Sequence, residues 1–207
     1  MGIRLMGVYR GDKRVGYEIF FGMEARNFPP REDLVNLHRN ILFVKDRKDG
    51  FLLFLNVNLP TLIEEEDRLR ELFRESEDIP FIAVLELTLE EIKEAFSKDA
   101  GELERVLNTA RYEFPAPISF SGVSLTFEDY DLVRRFSPDY VKVSIKELSC
   151  LSPEAIETFV VMFEENTKSA VVFTHVESEE EFKKVPEEAL WLGYYEEKLL
   201  KLNRSRL

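Results

Sequence analysis

From residue 31 onward, short apolar runs alternate with amphipathic helical stretches along the chain without interruption. Strands that alternate with helices indicate a parallel sheet with helices on its outside. The run Phe81–Leu85 is apolar at every position, as in a strand buried on both faces, and it ends at Glu86. Thr88 with Glu91 three positions later forms a capping box, which predicts that a helix follows at once.

The opening of the chain differs from the rest because it contains no helix pattern. Two short apolar runs, 3–9 and 15–21, flank a charged turn that contains Gly11 and Asp12. This pattern predicts a hairpin. With this opening pair we count about eight strands, and no stretch has the composition of a linker. We therefore predict an α/β fold in which residues 1–207 form a single compact barrel domain.

Composition excludes several classes of protein. The 207 residues carry a net charge of −12, whereas nucleic-acid grooves and proteins of anionic membrane surfaces need clustered Lys and Arg. We therefore expect no nucleic-acid polymer and no membrane as partner. The chain shows neither an apolar run of membrane-spanning length nor a signal peptide, and its single cysteine, Cys150, fits a reducing cytoplasm.

Oxygen-bearing side chains recur at or just beyond the ends of the predicted strands. They are Glu18, Asn58, Glu86, Glu128, Asp129 and Glu177. Carboxylate and amide oxygens that converge on a barrel mouth are ligands for a hard divalent cation. A water bound to that metal could attack a phosphodiester while Lys142 stabilises the developing charge. The alternative is that these acids occupy helix N-termini, where the helix dipole favours them, and the spacing alone leaves both interpretations open.

Seven segments resemble, in order and spacing, signature segments of the EAL domains, which are cyclic di-GMP phosphodiesterases. They are Gly16–Phe21 (G-Y-E-A-L-L in the family), Asn56–Pro60 (V-N-L-S), Leu85–Thr88 (L-E-I-T-E), Leu125–Tyr130 (L-A-L-D-D-F), Pro138–Val143 (P-D-Y-I-K-I-D), His175–Ser178 (the end of A-E-G-V-E-T) and Leu192–Tyr195 (Q-G-Y-Y). The compact loops look most like the EAL half of EAL-HDOD proteins. The resemblance implies a modified TIM barrel whose first strand runs antiparallel.

The resemblance also implies roles for individual residues. One metal ion, Mg²⁺ or Mn²⁺, would be held by Glu18, Asn58, Glu86 and Glu128, and a second by Asp129. Lys142 matches the catalytic lysine of the family. Lys142 and Glu177 are therefore the candidate catalytic residues, and we expect both to be vestigial.

Several departures from the family pattern bear on activity. Gly22 replaces the arginine that grips a phosphate, and Ser144 replaces an aspartate. Thr174 replaces the proposed general base, and Leu192 replaces the glutamine that helps to hold guanine. The loss of a charged hydrogen bond to phosphate costs about 1.5–3 kcal/mol, and the loss of a general base costs about 10²–10⁴ in rate.

From these departures we expect a degenerate EAL-type signalling domain that is catalytically inactive and acts through a protein partner, with a homodimer as a further option. We do not expect cyclic di-GMP as its ligand. One alternative is a metal-dependent phosphodiesterase for cyclic di-GMP or another cyclic nucleotide, which the retained acids and Lys142 support. The other is an inactive receptor that still binds cyclic di-GMP, against which Gly22 and Leu192 speak.

Overall fold

Eight strands form a closed barrel in the computed structural model, which describes residues 3–21, 28–47, 51–76, 78–114 and 116–195. The strands are β1 (Ile3–Arg10), β2 (Lys13–Phe21), β3 (Leu52–Asn56), β4 (Ile82–Thr88), β5 (Ile118–Val123), β6 (Tyr140–Ser144), β7 (Ala170–Thr174) and β8 (Leu190–Trp191). The helices are α1 (Pro30–Val44), α2 (Leu59–Glu64), α3 (Glu66–Glu75), α4 (Leu89–Lys98), α5 (Ala100–Glu113), α6 (Phe127–Phe136), α7 (Pro153–Thr167) and α8 (Glu179–Phe182), with a 3-10 helix at Ile145–Leu148.

Neighbouring strands follow the order of the chain around the barrel. Strand β1 is antiparallel to both β2 and β8, and all the other neighbouring pairs are parallel. Gly11 supplies the positive φ of 55° in the hairpin turn between β1 and β2. The predicted α/β barrel with an antiparallel first strand is confirmed.

The barrel interior has an apolar floor and a polar upper layer. The floor contains Phe54, Val84 and Val172, which are fully buried inside the ring of strands. Because side chains alternate along a strand, Glu86 follows Val84 on the inward face of β4. The carboxyl ends of the parallel strands thus carry polar groups directly above an apolar layer.

Local capping explains where several elements begin and end. The capping box predicted at Thr88 is present, and the one that the spacing of Ser178 and Glu181 predicts is present at the start of α8. The sequence pattern predicts a strand over 118–127, but β5 ends at Val123 because the Thr126 side chain accepts a hydrogen bond from the backbone of Asp129 and caps α6. The pattern after Pro60 predicts one helix through residues 64–74, but it is split into α2 and α3 at Glu65, whose φ of −115° and ψ of 25° are not helical.

The end of the chain is only partly described. The sequence pattern predicts a strand over 189–195, but β8 comprises only Leu190–Trp191. It also predicts a helical, basic tail after this strand, which lies outside the described residues. Among the described helices, none has both the length and the apolar character needed to cross a membrane.

Candidate functional site

A buried lysine lies between two glutamates at the carboxyl end of the barrel. The Lys142 ammonium donates hydrogen bonds to Oε2 of Glu18, at 2.5 Å, and to Oε2 of Glu86. All three side chains are 3–4% exposed. The Lys142 nitrogen also lies 4.6 Å from the centre of the Phe54 ring, so the apolar floor contacts it from below. We refer to Glu18, Glu86 and Lys142 as the Lys142 triad.

Burial and mutual charge set the protonation of this triad. Burial, followed by the charge of Glu86, raises the pKa of Glu18 to about 7, although Lys142 and a hydrogen bond from Asn56 oppose the shift. Burial alone would lower the pKa of Lys142, but the two carboxylates outweigh it and raise that pKa above its usual range. Lys142 is therefore an ammonium at neutral pH, and the pKa of Glu18 lies close to neutrality.

The amide of the site is Asn56, which the sequence analysis missed. Asn56 is the last residue of β3, and its side chain bonds to Glu18 and donates to the Ile19 carbonyl at 3.2 Å. Asn58, the residue predicted as a ligand, is the N-cap of α2. Its backbone N–H donates to Asp33 at 2.9 Å and its side chain to the Phe28 carbonyl at 3.3 Å. The sequence contains two candidate amides, Asn56 and Asn58. Because β3 ends at Asn56, it is this amide that lies beside Glu18.

The two acids at the start of α6 are bound to a different lysine. Nζ of Lys93 lies 2.6 Å from Oδ1 of Asp129 and 3.8 Å from Oε2 of Glu128. The other Asp129 oxygen accepts the backbone N–H of Ser124 at 2.7 Å. The Glu128 side chain is 72% exposed. These two carboxylates therefore hold the segment between β5 and α6 against α4.

The predicted metal ligands thus lie in three separate places. Glu18 and Glu86 belong to the Lys142 triad, Glu128 and Asp129 contact Lys93, and Asn58 caps α2. Within the described segments, no three His, Cys, Asp or Glu side chains are grouped so that they could hold a metal ion. A Mg²⁺ or Mn²⁺ site built from protein donors alone needs such a group. A metal ion bound here would therefore need further ligands from water or a bound phosphate, and the metal site that the resemblance implies stays a prediction.

A cavity of about 660 Å³ opens above the triad. Glu18, Glu86 and Lys142 lie in its lining, and its upper part is formed by Ser144, Glu147, Thr174, His175, Glu177, Leu192 and Tyr194 among others. Glu177, a candidate catalytic residue, is 39% exposed and pairs with Lys146 at 2.8 Å, which lowers its pKa. Gly22, where the family has an arginine, lies outside the described residues.

Comparison with known proteins by sequence finds no match for this chain, whereas comparison by structure finds several. No family model and no curated protein matches. The YkuI protein of Bacillus subtilis, solved with its EAL domain in complex with cyclic di-GMP and calcium, is 17% identical with a TM-score of 0.68. The match covers 98% of this chain and 60% of YkuI, so this chain spans less than two thirds of that protein.

Two isolated EAL domains match more evenly. The FimX EAL domain of Xanthomonas citri, in complex with cyclic di-GMP, is 11% identical with a TM-score of 0.72, over 94% of this chain and 85% of that domain. The DcpA EAL domain of Mycobacterium smegmatis is 12% identical with a TM-score of 0.73, over 99% and 98%.

These structures correct one expectation from the sequence. We expected a protein partner in place of cyclic di-GMP, yet the YkuI and FimX barrels are both complexes with that nucleotide. The expectation relied on single side chains at Gly22 and Leu192 and took no account of the cavity that the closed barrel provides. With TM-scores of 0.68 to 0.73 over at least 94% of its length, this chain has the fold of the EAL domains.

Proposed function

We propose that this barrel is a signalling domain that binds cyclic di-GMP without hydrolysing it, and that it works in the cytoplasm. The arrangement of the acids carries this proposal. Two of the carboxylates that would serve hydrolysis, Glu18 and Glu86, are paired with Lys142, and two others contact Lys93. The cavity above Lys142 remains large enough for a nucleotide, since small-molecule sites span about 300–1,000 Å³.

Hydrolysis needs a group that removes a proton from the attacking water. Thr174 stands where the family has its proposed base, and a threonine hydroxyl does not ionise near neutral pH. The loss of such a base costs about 10²–10⁴ in rate. Ligand binding depends on the shape and polarity of the cavity, so the absence of a general base does not weaken it.

The charge of the cavity predicts an effect of divalent cations on binding. Four glutamates line it, namely Glu18, Glu86, Glu147 and Glu177, and the ammonium groups of Lys142 and Lys146 compensate only part of their charge. Cyclic di-GMP is an anion because both of its phosphodiesters are ionised. We therefore expect Mg²⁺, Mn²⁺ or Ca²⁺ to strengthen binding by offsetting the negative charge.

Calorimetry together with product analysis tests the proposal. We expect cyclic di-GMP to bind in the presence of Ca²⁺, more weakly in EDTA, and to be recovered intact after prolonged incubation with Mg²⁺ or Mn²⁺. Ser144→Phe should block the cavity and weaken binding at least about tenfold by steric exclusion, whereas Ser97→Phe, on the exposed face of α4, should not. Absence of binding in every buffer would contradict the proposal.

A metal-dependent phosphodiesterase is the second candidate, because Glu18, Glu86 and Lys142 do converge. A divalent ion held by one or two carboxylates can complete its shell with phosphate oxygens and water. Release of a linear dinucleotide by the wild-type chain, and its loss in Glu86→Gln, would favour this candidate over the first.

A further inference from the structure

Two helices of the outer layer expose several large apolar side chains each. Helix α1 carries Val35, Leu42 and Phe43, which are 48–49% exposed. Helix α7 carries Val161 and Met162, which are 51% and 59% exposed. Each of the other described helices carries at most one exposed large apolar residue. Apolar side chains that share one exposed helix face are typical of a surface that binds another protein.

A basic side chain lies at the centre of the apolar residues of α1. Arg39 lies one turn after Val35. Leu42 and Phe43 follow one turn later, so all four side chains are neighbours on the helix surface, and we call them the α1 face. Arg39 is exposed and forms neither a hydrogen bond nor an ion pair with any residue in the described ranges. The α1 face is therefore an apolar surface around an uncompensated positive charge.

The corresponding surface of α7 is acidic. Glu157 and Glu165 lie one turn before and one turn after Val161, and Met162 is next to it. We call these four residues the α7 face. Both glutamates are exposed, and neither forms a hydrogen bond or an ion pair within the part of the chain that the structure describes. The charge of the α7 face is thus opposite to that of the α1 face.

The charged surfaces of α3 and α5 differ because their charges are paired within the molecule. Arg70 of α3 pairs with Glu113 of α5, and Arg105 of α5 pairs with Glu66 of α3. These contacts leave little charge for a partner to compensate. On the α1 face and the α7 face, by contrast, uncompensated charges lie beside exposed apolar groups.

The positions of the two helices in the barrel determine how copies of the chain could join. Helix α1 lies between β2 and β3 in the chain, and α7 lies between β6 and β7. Because the strands follow the order of the chain around a closed barrel of eight, these two positions are half a turn apart. The two faces therefore point in opposite directions. Each helix has 15 residues and is about 22 Å long, so the faces also match in length.

We propose that the α1 face of one copy binds the α7 face of the next, so that barrels join head to tail. The apolar residues of the two faces exclude water from each other, and Arg39 compensates Glu157 and Glu165 across the contact. Because the faces lie on opposite sides of the barrel, the contact does not close on itself. Copies add in an open row, which differs from a two-fold dimer.

This assembly is weak and depends on protein concentration, because a contact between two single helices is small. The net charge of −12 does not prevent it at physiological ionic strength, where charges more than about 8 Å apart are largely screened. The assembly goes beyond the proposed binding of cyclic di-GMP and does not depend on it.

Sedimentation velocity of the whole chain over a wide range of concentrations tests the proposal. We expect the average mass to rise continuously with concentration and to pass that of a dimer. Arg39→Glu places like charges opposite each other and should weaken the association at least about tenfold, as should the double variant Glu157→Arg with Glu165→Arg. Arg74→Glu reverses a charge on α3 that is 73% exposed and is the matched control, which should assemble like the wild type.

A mixture of the two charge-reversed proteins provides the sharpest comparison. The acidic α1 face of one then meets the basic α7 face of the other, while the two unchanged faces remain complementary. We expect the mixture to recover wild-type assembly although each protein alone assembles poorly. All of these residues are exposed, so thermal unfolding should be close to that of the wild type.

Three outcomes would overturn the proposal. The first is a wild-type mass that stays at the monomer or stops at the dimer at every concentration. The second is undiminished assembly by Arg39→Glu alone. The third is a mixture of the two charge-reversed proteins that assembles no better than its components.

Discussion

Folding changes the ionisation of Glu18 in the Lys142 triad. When Glu18, Glu86 and Lys142 are all charged, the group carries a net negative charge in a buried place. Burial of uncompensated charge is costly, and the protein limits this cost by retaining a proton on Glu18 up to a pKa of about 7. The sequence identifies all three residues as site candidates but does not show that they pair with one another.

Glu18→Gln should change how the free energy of unfolding depends on pH. The folded state holds the Glu18 proton up to about pH 7, whereas the unfolded chain releases it near the ordinary value of 4.5. The folded state therefore binds more protons between these values, so the wild-type free energy of unfolding falls as pH rises through this window. Glu18 should contribute a fall of about 1–3 kcal/mol between pH 5 and pH 8, and Glu18→Gln should lack it.

Urea unfolding at several pH values measures this contribution. Glu180→Gln, an exposed glutamate of α8, is the matched control and should keep the wild-type slope. Parallel curves for Glu18→Gln and the wild type would contradict the assigned protonation of Glu18.

At the level of elements, the contact between β2 and β3 depends on the absence of a side chain. A Cβ at Gly16 would lie 2.3 Å from the Leu52 carbonyl oxygen of the neighbouring strand. We expect Gly16→Ala to lower the free energy of unfolding by about 1–3 kcal/mol through this overlap. Gly101→Ala, in the first turn of α5 and no closer than 3.4 Å to another group, should be neutral or stabilising. Urea unfolding distinguishes the two, and equal effects would contradict the steric argument.

Element boundaries could be predicted where the deciding contact is local. The capping boxes at Thr88 and Ser178 lie within a few residues of the helices that they start, so their pattern was sufficient. The choice between Asn56 and Asn58 depends on distant partners. Asn56 pairs with Glu86 of β4, whereas Asn58 is bound by Asp33 of α1, and no pattern within β3 contains this information.

At the scale of the whole molecule, the alternation of strands and helices was enough to predict a barrel, because it reflects how each segment buries its apolar face. The side-chain pairs of the site were beyond reach. Lys142 and Glu18 are 124 residues apart in the chain, and Lys93 of α4 forms its ion pair with Asp129 of α6. Such contacts arise only when the strands close into a ring. The sequence therefore predicted which residues lie near the barrel mouth, but it did not predict the partner of each side chain.

Trp191 tests how the ring is closed. Its side chain is fully buried, stacks on Tyr9 with ring centres 4.9 Å apart, and donates to the Gly11 carbonyl at 2.8 Å. We expect Trp191→Leu to cost about 2–4 kcal/mol, from lost packing and an unsatisfied carbonyl. The melting temperature should fall by about 2–4 °C per kcal/mol.

Phe127→Leu is the control for this variant, because the Phe127 side chain is 91% exposed. We expect it to change stability by less than about 0.5 kcal/mol. A small effect of Trp191→Leu in thermal unfolding would show that β1 and β8 are held together mainly by other contacts.

The seam between β1 and β8 has a consequence for synthesis on the ribosome. It joins residues 9 and 10 to residues 191 and 190, so a separation of 180 residues in the chain is typical of these contacts. Until β8 emerges, the nascent sheet has two open edges and an uncovered apolar lumen, both of which invite aggregation. The barrel can therefore close only after β8 has been synthesised, and a chaperone that shields sheet edges would act before that point.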